Sequence, residues 1–326
     1  MMAVWRQFVL LIILFGGLSA SDDLSEEIGW GDYGQGATVV GNVAIAGSDT
    51  LTNVISAWAN AFQRFHPGVN IGVEGRGSST VPPALLERTI DIGVMSRRMS
   101  SRELAEYRQR YGSIPLEITI ALDAVVVYVN RNNPLEQITL RQLRELFIEE
   151  RSADMSYRTW SDLGLEGDFG KFSLSRYGRN AASGTYAFFK NRVLLADDFN
   201  RRVEEFPGSS ALVRAIGADR YAVGYSGIGY KTSDVKVLPI SRDAVRYFYP
   251  TFESCVSGEY PLARELFFYI PAAKSGSQSE AVSEFVRFVL SAQGQGMLLE
   301  AGFFPISGDG LLDELSSKLP EVFDAP

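Results

Sequence analysis

Near its middle the chain reads RNAASGTYAFFKN, residues 179–191, and this stretch sets both the expected fold and the expected site. A turn of small residues runs into apolar and aromatic positions at helical spacing, so Ser183 or Thr185 is predicted to cap a helix. The unpaired N–H groups and the dipole at such a helix start attract anions, and Gly184 lets the backbone approach closely. Arg179 adds a planar fork of donors that suits a tetrahedral oxyanion. Taken alone, the stretch also fits an ordinary serine-capped helix with a solvated arginine nearby.

The composition is that of a globular protein large enough for two hydrophobic cores, because 46% of its 326 residues are hydrophobic. A formal net charge of -8 argues against nucleic acid or an anionic membrane as the partner, so an anion site must be local and built mainly from backbone groups. The single cysteine and single histidine exclude an internal disulfide, a cysteine-rich zinc site and a multi-histidine metal site. No metal or cofactor is therefore expected.

Both ends of the chain are predicted to lie outside the folded part. Residues 1–20 are predicted to be a signal peptide, because an apolar run at 8–15 is too short for a permanent membrane span and small residues follow it up to Ala20. We therefore expect export, most simply to a bacterial periplasm, with a retained membrane anchor as the alternative. Residues 21–37 are predicted to be a flexible leader, and the acidic, polar residues 308–326 are predicted to be a frayed tail.

Polar turns follow three predicted strands in the first third of the chain. GSDTL, residues 47–51, opens an amphipathic helix; GRGSST, residues 75–80, opens a second helix; and Ser96 follows a third strand. In open α/β sheets, ligands collect outside the carboxyl ends of the strands, so the three turns predict one crevice. No Gly-x-x-x-x-Gly-Lys-Ser/Thr run is present, which argues against a nucleotide-binding loop. Together with the central stretch, the turns predict a dehydrated cage of hydroxyl and N–H groups for a small oxyanion.

Three other polar residues are predicted not to contact the ligand. His66 lies beside a Pro-Gly stop at the end of the first amphipathic helix and is predicted to be a surface capping residue, not a catalytic one. Arg176 alternates with the apolar positions of the strand that leads into the central stretch, so it is expected to support the site while Arg179 contacts the ligand. Cys255 is expected to be an unpaired thiol without a role.

In their order along the chain, these motifs resemble the ligand loops of the phosphate-binding proteins (PstS-like) of bacterial ABC phosphate importers. The likeness covers roughly residues 40–305. It implies a type II periplasmic-binding-protein fold of the α/β class, with two lobes that are each a mixed sheet flanked by helices and with the ligand in the cleft between them. The expected parts are lobe I at 38–120 plus 238–307, lobe II at 121–237, and strand crossings near 119–123 and 235–240.

The resemblance also implies inorganic phosphate as the ligand and carries its contacts over by motif. The implied ligand-binding residues are Ser48, Asp49, Thr50 and Leu51 in the first loop, Ser78 and Ser79 in the second, Ser96 after the third strand, and Arg179, Ser183, Gly184 and Thr185 in the fourth. Some members place an aspartate where Ser96 stands, and its carboxylate accepts the proton of hydrogen phosphate. Ser96 can accept as well as donate a hydrogen bond, so binding could survive the change, but rejection of sulfate would need another acceptor, and both Asp49 and Asp123 are candidates.

The predicted function is that of a periplasmic solute-binding protein. It would capture phosphate between two closing lobes, act as a monomer, bind no nucleic acid, catalyse no reaction, and deliver phosphate to an inner-membrane ABC permease. One alternative is a binding protein for another oxyanion, such as sulfate, molybdate or a phosphonate. A second alternative is a phosphomonoesterase, although a Ser-His-Asp arrangement would have to use His66.

Overall fold

A computed structural model of the chain describes residues 31–34, 38–149, 157–272 and 279–306. The predicted signal peptide, the predicted C-terminal tail and most of the predicted leader lie outside these ranges. Within them, no helix combines the length and the apolar character that a membrane crossing requires.

Strands and helices alternate along most of the described chain, as the α/β prediction requires. The strands are β1 Val40–Gly47, β2 Gly68–Gly75, β3 Ile92–Met95, β4 Leu116–Asn130, β5 Ile138–Thr139, β6 Ser175–Arg179, β7 Val203–Phe206, β8 Ala222–Gly227, β9 Val235–Leu238, β10 Ile240–Ser241 and β11 Ala263–Ile270. The helices are α1 Thr52–Phe65, α2 Val81–Leu86, α3 Ser101–Tyr111, α4 Leu140–Phe147, α5 Gly167–Gly170, α6 Gly184–Arg192, α7 Ser209–Ala218, α8 Phe252–Val256, α9 Glu280–Val289 and α10 Ala292–Glu300.

The first three strands are parallel and adjacent, in the order β2-β1-β3. Their registers pair Gly47 with Gly75 on one side and with Val94 on the other. The carboxyl ends of the three strands therefore lie at one edge of the sheet, and the polar turns that follow them meet there. This confirms the crevice predicted from the three strand-turn patterns.

A single long strand, β4, links two parts of the sheet. Its first part, residues 116–124, pairs with β11, while residues 125–130 pair with β8 and β9. The predicted crossing near 119–123 is confirmed as part of this strand. The predicted return crossing at 235–240 is wrong, because β9 pairs alongside β4 in its second part and does not leave it. The strand that leads back is β11, which pairs with β3 as well as β4.

Two large hydrophobic clusters lie on either side of that link. The first contains Trp58 and Phe285, and the second contains Trp160, Phe189 and residues as late in the chain as Leu262. Burial of each such side chain contributes about 1.5–3 kcal/mol to folding. The lobe boundaries stay a prediction, and the packing favours a return to the first cluster after Leu262, later than residue 238.

The segment 221–230, which has glycines at 224, 227 and 229, is mostly a strand. Residues 222–227 form β8, which is buried along its whole length between β4 and β6. Glycine at 224 is required there, since a Cβ would meet the Tyr177 carbonyl oxygen at 2.7 Å. Gly224 therefore serves the close packing of neighbouring strands.

His66 is buried, so the prediction of a surface residue is wrong. It does hold the capping position at the end of α1, where its N–H donates to the Phe62 carbonyl. Its Nε2 lies 2.6 Å from the hydroxyl of Tyr33, and that hydroxyl donates to Glu284 at 2.5 Å. Val39 N–H donates to His66 Nδ1 at 3.2 Å, which fixes the ring as the neutral Nε2–H tautomer. Tyr33, within the predicted flexible leader, is thus itself buried and hydrogen-bonded.

Candidate functional site

Serine hydroxyls from three different loops meet at the edge of the parallel strands. Ser48 Oγ donates to Ser96 Oγ at 3.0 Å, and Ser78 Oγ lies 3.2 Å from Ser96 Oγ. The Ser96 N–H also donates to Ser78 Oγ at 3.0 Å. All three side chains are buried, so the loops after β1, β2 and β3 present a dry cluster of hydroxyl groups.

The amino end of α6 points into this cluster. Ser183 is the residue before the helix, and its hydroxyl accepts the N–H of Thr185 at 3.1 Å, which confirms the predicted serine cap. A Cβ on Gly184 would lie 2.5 Å from Ser96 Oγ and closer still to Ser78 Oγ. Only glycine therefore lets the start of α6 approach the serines this closely.

A second contact joins the two halves of the site through threonines. Thr50 Oγ1 lies 3.1 Å from Thr185 Oγ1, and both residues are buried. The turn after β2 also contacts the fourth loop, because Ser79 N–H donates to the Ala182 carbonyl at 3.1 Å. Residues that are far apart in sequence thus form one continuous polar interface.

Arg179, at the end of β6, is buried on the second-cluster side of the site. Its Nη1 donates to Ser209 Oγ at 2.5 Å and its Nη2 donates to the Pro207 carbonyl at 2.9 Å. Asp49 Oδ2 lies 3.2 Å from Arg179 Nη2 and accepts the Ser209 N–H at 2.8 Å. Arg179 Nε makes no hydrogen bond among the described residues, so one buried donor is left for a further partner.

A second buried arginine, Arg264 on β11, also lies at the site. It donates from Nε and Nη2 to Asp123 Oδ2 at 2.9 and 2.7 Å. Its Nη2 also donates to Thr185 Oγ1 at 3.0 Å, and its Nη1 donates to the Ser96 carbonyl at 3.1 Å. Arg264 therefore holds the positions of residues from both halves of the site.

The electrostatics favour a site that works through hydrogen bonds more than through net charge. Burial lowers the pKa of Arg179, and Asp49 opposes that shift; burial likewise lowers the pKa of Arg264, with Asp123 opposing it. Each guanidinium thus has its own aspartate within the protein. An added anion would be held by oriented N–H and O–H groups and by the α6 dipole, which fits an acidic chain.

The predicted ligand-binding residues fall into a central group and a supporting group. Ser48, Thr50, Ser78, Ser96, Gly184 and Thr185 meet at the centre, with Ser183 capping α6. Leu51 packs in the first hydrophobic cluster, and its N–H already donates to the Ser48 carbonyl. Ser79 lies at the rim, and Asp49 holds Arg179. Arg176 is turned to the Leu146 carbonyl, away from this group.

Sequence reasoning missed three residues of the site. Arg264 fills a central position, Ser209 anchors Arg179, and the Tyr230 hydroxyl donates to the Asp49 carbonyl at 2.6 Å. Arg264 and Glu265 are the two charged residues of β11, and a charge in a strand that is mostly apolar was a visible signal for Arg264. Its pairing with Asp123 depends on the register of β11 against β4, which the sequence does not show.

An open cleft of about 850 Å³ borders the site on one side. Ser96 and Arg264 line its inner end, while Arg97, Arg192 and Phe188 line its outer part. The site therefore adjoins an open cleft whose lining carries four arginines and two glutamates. His66 lies in the Tyr33 network, so no Ser-His-Asp arrangement forms among the described residues.

Comparison with known proteins gives consistent matches over most of the chain. The family model of the PBP superfamily domain matches residues 34–293. The phosphate-binding protein PstS of Pseudomonas aeruginosa is 37% identical over 278 residues, which cover 84% of this chain and 86% of that protein. Protein SphX of Synechococcus elongatus is 27% identical over 268 residues, covering 81% of this chain and 77% of that protein.

Solved structures show the same fold. A candidate phosphate ABC transporter substrate-binding protein from Clostridium perfringens, with bound phosphate, superposes with a TM-score of 0.68 at 24% identity, covering 82% of this chain and 100% of that chain. An ABC-type phosphate transport receptor from Vibrio cholerae gives a TM-score of 0.63 at 21% identity, covering 80% of this chain and 99% of that chain.

Proposed function

The chain belongs to the PBP superfamily, and from this membership and the geometry of the site we propose that it captures inorganic phosphate and delivers it to an ABC importer. Its fold is that of a type II periplasmic binding protein, and its 37% identical relative is a phosphate-binding protein. The site would hold phosphate between the loops after β1, β2 and β3 and the start of α6.

One observation carries this proposal. Hydroxyls of Ser48, Ser78 and Ser96 meet the glycine start of α6 so closely that a side chain at 184 could not fit. Such a convergence of donors from two distant parts of the chain suits a small tetrahedral anion, because each oxygen can accept several hydrogen bonds at once.

Closure of the two parts would be coupled to ligand binding. Thr50 and Thr185 come from opposite sides and lie in contact, as do Ser79 and Ala182. An anion that bonds to both sides stabilises the closed form by the difference between its contacts with the closed and open forms. The closed form is then what an inner-membrane permease would recognise.

Several finer statements belong to the same proposal. The protein would be exported to the periplasm by the signal peptide predicted at 1–20, would act as a monomer and would bind without catalysis. Relatives that carry the name of phosphate-binding protein support the binding role. Residues Arg179, Ser183, Gly184 and Thr185 on one side and Thr50, Ser78 and Ser96 on the other are the proposed contacts.

Native mass spectrometry of the undialysed protein, followed by calorimetry of the stripped protein, tests the proposal. We expect retained mass equal to that of phosphate and a phosphate affinity in the micromolar range or tighter, about -8 kcal/mol or more. If sulfate, molybdate or a phosphonate binds more tightly than phosphate, that ion and not phosphate is the ligand. Sustained turnover of a chromogenic phosphate ester would contradict a pure binding role.

A further inference from the structure

The two buried arginines of the site use their donors differently. Arg179 keeps Nε without a hydrogen bond among the described residues. Arg264 donates from Nε and Nη2 to Asp123 Oδ2. Its Nη1 donates to the Ser96 carbonyl, and its Nη2 donates to Thr185 Oγ1 as well. Each nitrogen of the Arg264 guanidinium therefore has an acceptor within the protein, which fits a supporting role better than contact with an anion.

The position of Arg264 is fixed by its own strand pair. In the antiparallel register of β11 and β4, Arg264 lies directly opposite Asp123. The two side chains are 3% and 0% exposed and form a buried ion pair at 2.7 Å. Because the carboxylate holds one edge of a planar guanidinium, the remaining N–H groups of that guanidinium have fixed directions.

Arg264 contacts α6 at two positions one turn apart. Its hydrogen bond to Thr185 Oγ1 is 3.0 Å long, and its guanidinium carbon lies 5.5 Å from the centre of the Phe188 ring. Residues three apart in a helix are neighbours on one face, so both contacts are on the same side of α6. The bond from Nη1 to the Ser96 carbonyl is 3.1 Å long. One side chain from β11 thus holds the start of α6 against the loop after β3.

The hydrogen bond from Arg264 also determines how the Thr185 hydroxyl is used. A guanidinium has no acceptor, so Thr185 Oγ1 must accept the hydrogen from Nη2. The single proton of the Thr185 hydroxyl is then free to be donated elsewhere, and Thr50 Oγ1 lies 3.1 Å away. An anion bound beside Thr185 would take this proton in place of Thr50, because a charged acceptor forms the stronger hydrogen bond.

On the basis of the proposed function, we propose that Arg264 is a positioning residue of the anion site, which acts through Thr185 and not by contact with the anion. It directs the Thr185 hydroxyl to donate, and it fixes the first turn of α6 against the loop after β3. The ion pair with Asp123 anchors the guanidinium from which both effects arise.

The test uses Arg264→Lys, Thr185→Val and the two changes combined, with phosphate affinity measured by calorimetry. Lysine keeps a charge opposite Asp123 but lacks the planar fork that serves three acceptors together. We expect the affinity to fall by about tenfold in each single variant and by no more than about tenfold in the combined variant, because the two residues act as one unit.

The matched control is Arg98→Gln with Glu265→Gln. It removes an arginine–glutamate pair whose side chains are 59% and 44% exposed, and Glu265 is the next residue of β11, so the affinity should stay normal. Hydrogen exchange of the unliganded protein, followed by mass spectrometry, gives a readout that does not need phosphate. Amides of α6, residues 184–192, should exchange faster in Arg264→Lys than in the wild type and the control.

Three results would overturn the proposal. Normal affinity in Arg264→Lys would mean that the charge alone suffices. Losses that multiply to about 100-fold in the combined variant would mean that Arg264 binds the anion directly. Unchanged exchange over α6 would mean that Arg264 does not hold this helix.

Two further outcomes keep the test decisive. If Arg264→Lys fails to fold, Asp123→Asn with Arg264→Gln removes both buried charges together, and the same shared loss with Thr185→Val is expected. A wild-type protein that binds no phosphate would contradict the proposed function, and the exchange comparison would then still decide whether Arg264 positions α6.

Discussion

Two buried polar networks in this protein can be compared, one at the proposed anion site and one around His66. Both join segments that are far apart in sequence: Thr50 meets Thr185 in the first, and Tyr33 meets His66 and Glu284 in the second. In the His66 network each buried polar side chain has a partner. The site network leaves Arg179 Nε without a hydrogen bond among the described residues, while Asp123 Oδ1 has only the nearby Ile228 and Ala124 amides.

The difference separates a structural network from a binding one. Buried polar groups are nearly always satisfied, because an unmet hydrogen bond costs about 1–3 kcal/mol. A network that is complete by itself holds the fold together. A network that keeps a spare buried donor is arranged for a further group that supplies the missing partner. Variants in the His66 network should change the stability of the fold, and variants in the site network should change the affinity for phosphate.

The largest expected effect is that of Arg179→Ala on phosphate affinity. The change removes a buried guanidinium and leaves Asp49 without its cationic partner. We therefore expect the phosphate affinity measured by calorimetry to fall by about 100-fold. Arg201→Ala is the matched control, since the Arg201 side chain is 90% exposed on the surface. Equal affinities in the two variants would remove Arg179 from the site.

Thr185→Val should have the next largest effect. Valine keeps the shape of threonine but loses the hydroxyl that meets Thr50 and Arg264, so we expect phosphate affinity to fall by about tenfold. Thr89→Val, at an exposed threonine, serves as the control for the substitution itself. A normal affinity in Thr185→Val would mean that this hydroxyl only supports the backbone.

Much of this site could be predicted from the sequence because its loops are local. Strand, turn and helix signals lie within about ten residues of one another, and parallel strands then bring the turns to one edge. Such local signals predict the helix cap at Ser183 or Thr185 and the close backbone approach at Gly184. In the structure Ser183 is the cap, and Gly184 is the point of close approach.

Contacts set by register and burial could not be predicted in the same way. Arg264 reaches Asp123 because β11 pairs with β4 in one register, and nothing local in either segment reveals that register. His66 looked like a surface residue because helix ends usually are exposed. It is buried because Tyr33, far away in sequence, covers it. The return crossing predicted at 235–240 is wrong for the same reason, because the pairing of β9 with β4 is set by tertiary structure and not by local sequence.

Tyr33→Phe tests the network around His66 and should not affect ligand binding. Loss of the hydroxyl leaves His66 Nε2 and Glu284 without a shared partner, so we expect the free energy of unfolding to fall by about 1–3 kcal/mol in chemical denaturation. Phosphate affinity should be unchanged. Tyr249→Phe, at a 57% exposed tyrosine, is the control, and a stability equal to that control would contradict a structural role for Tyr33.

The smallest expected effect is a pH dependence of stability that comes from His66. Burial lowers the pKa of His66, and Glu284 opposes the shift. Below about pH 6.5 the unfolded chain binds a proton at this residue that the folded protein does not bind, so stability decreases as the pH falls from there toward the lowered pKa. Chemical denaturation at several pH values should show that the free energy of unfolding decreases less steeply with falling pH in His66→Gln than in the wild type. If the two slopes are identical, the acid sensitivity comes from other groups.

The most direct test of the binding network is a crystal structure of the protein grown with phosphate. The account predicts one tetrahedral ion that accepts hydrogen bonds from Ser78 and Thr50 on one side and from Arg179 and the Gly184–Thr185 turn on the other. Phosphate bound elsewhere, or bound to only one of the two sides with Arg179 Nε still unpartnered, would contradict it.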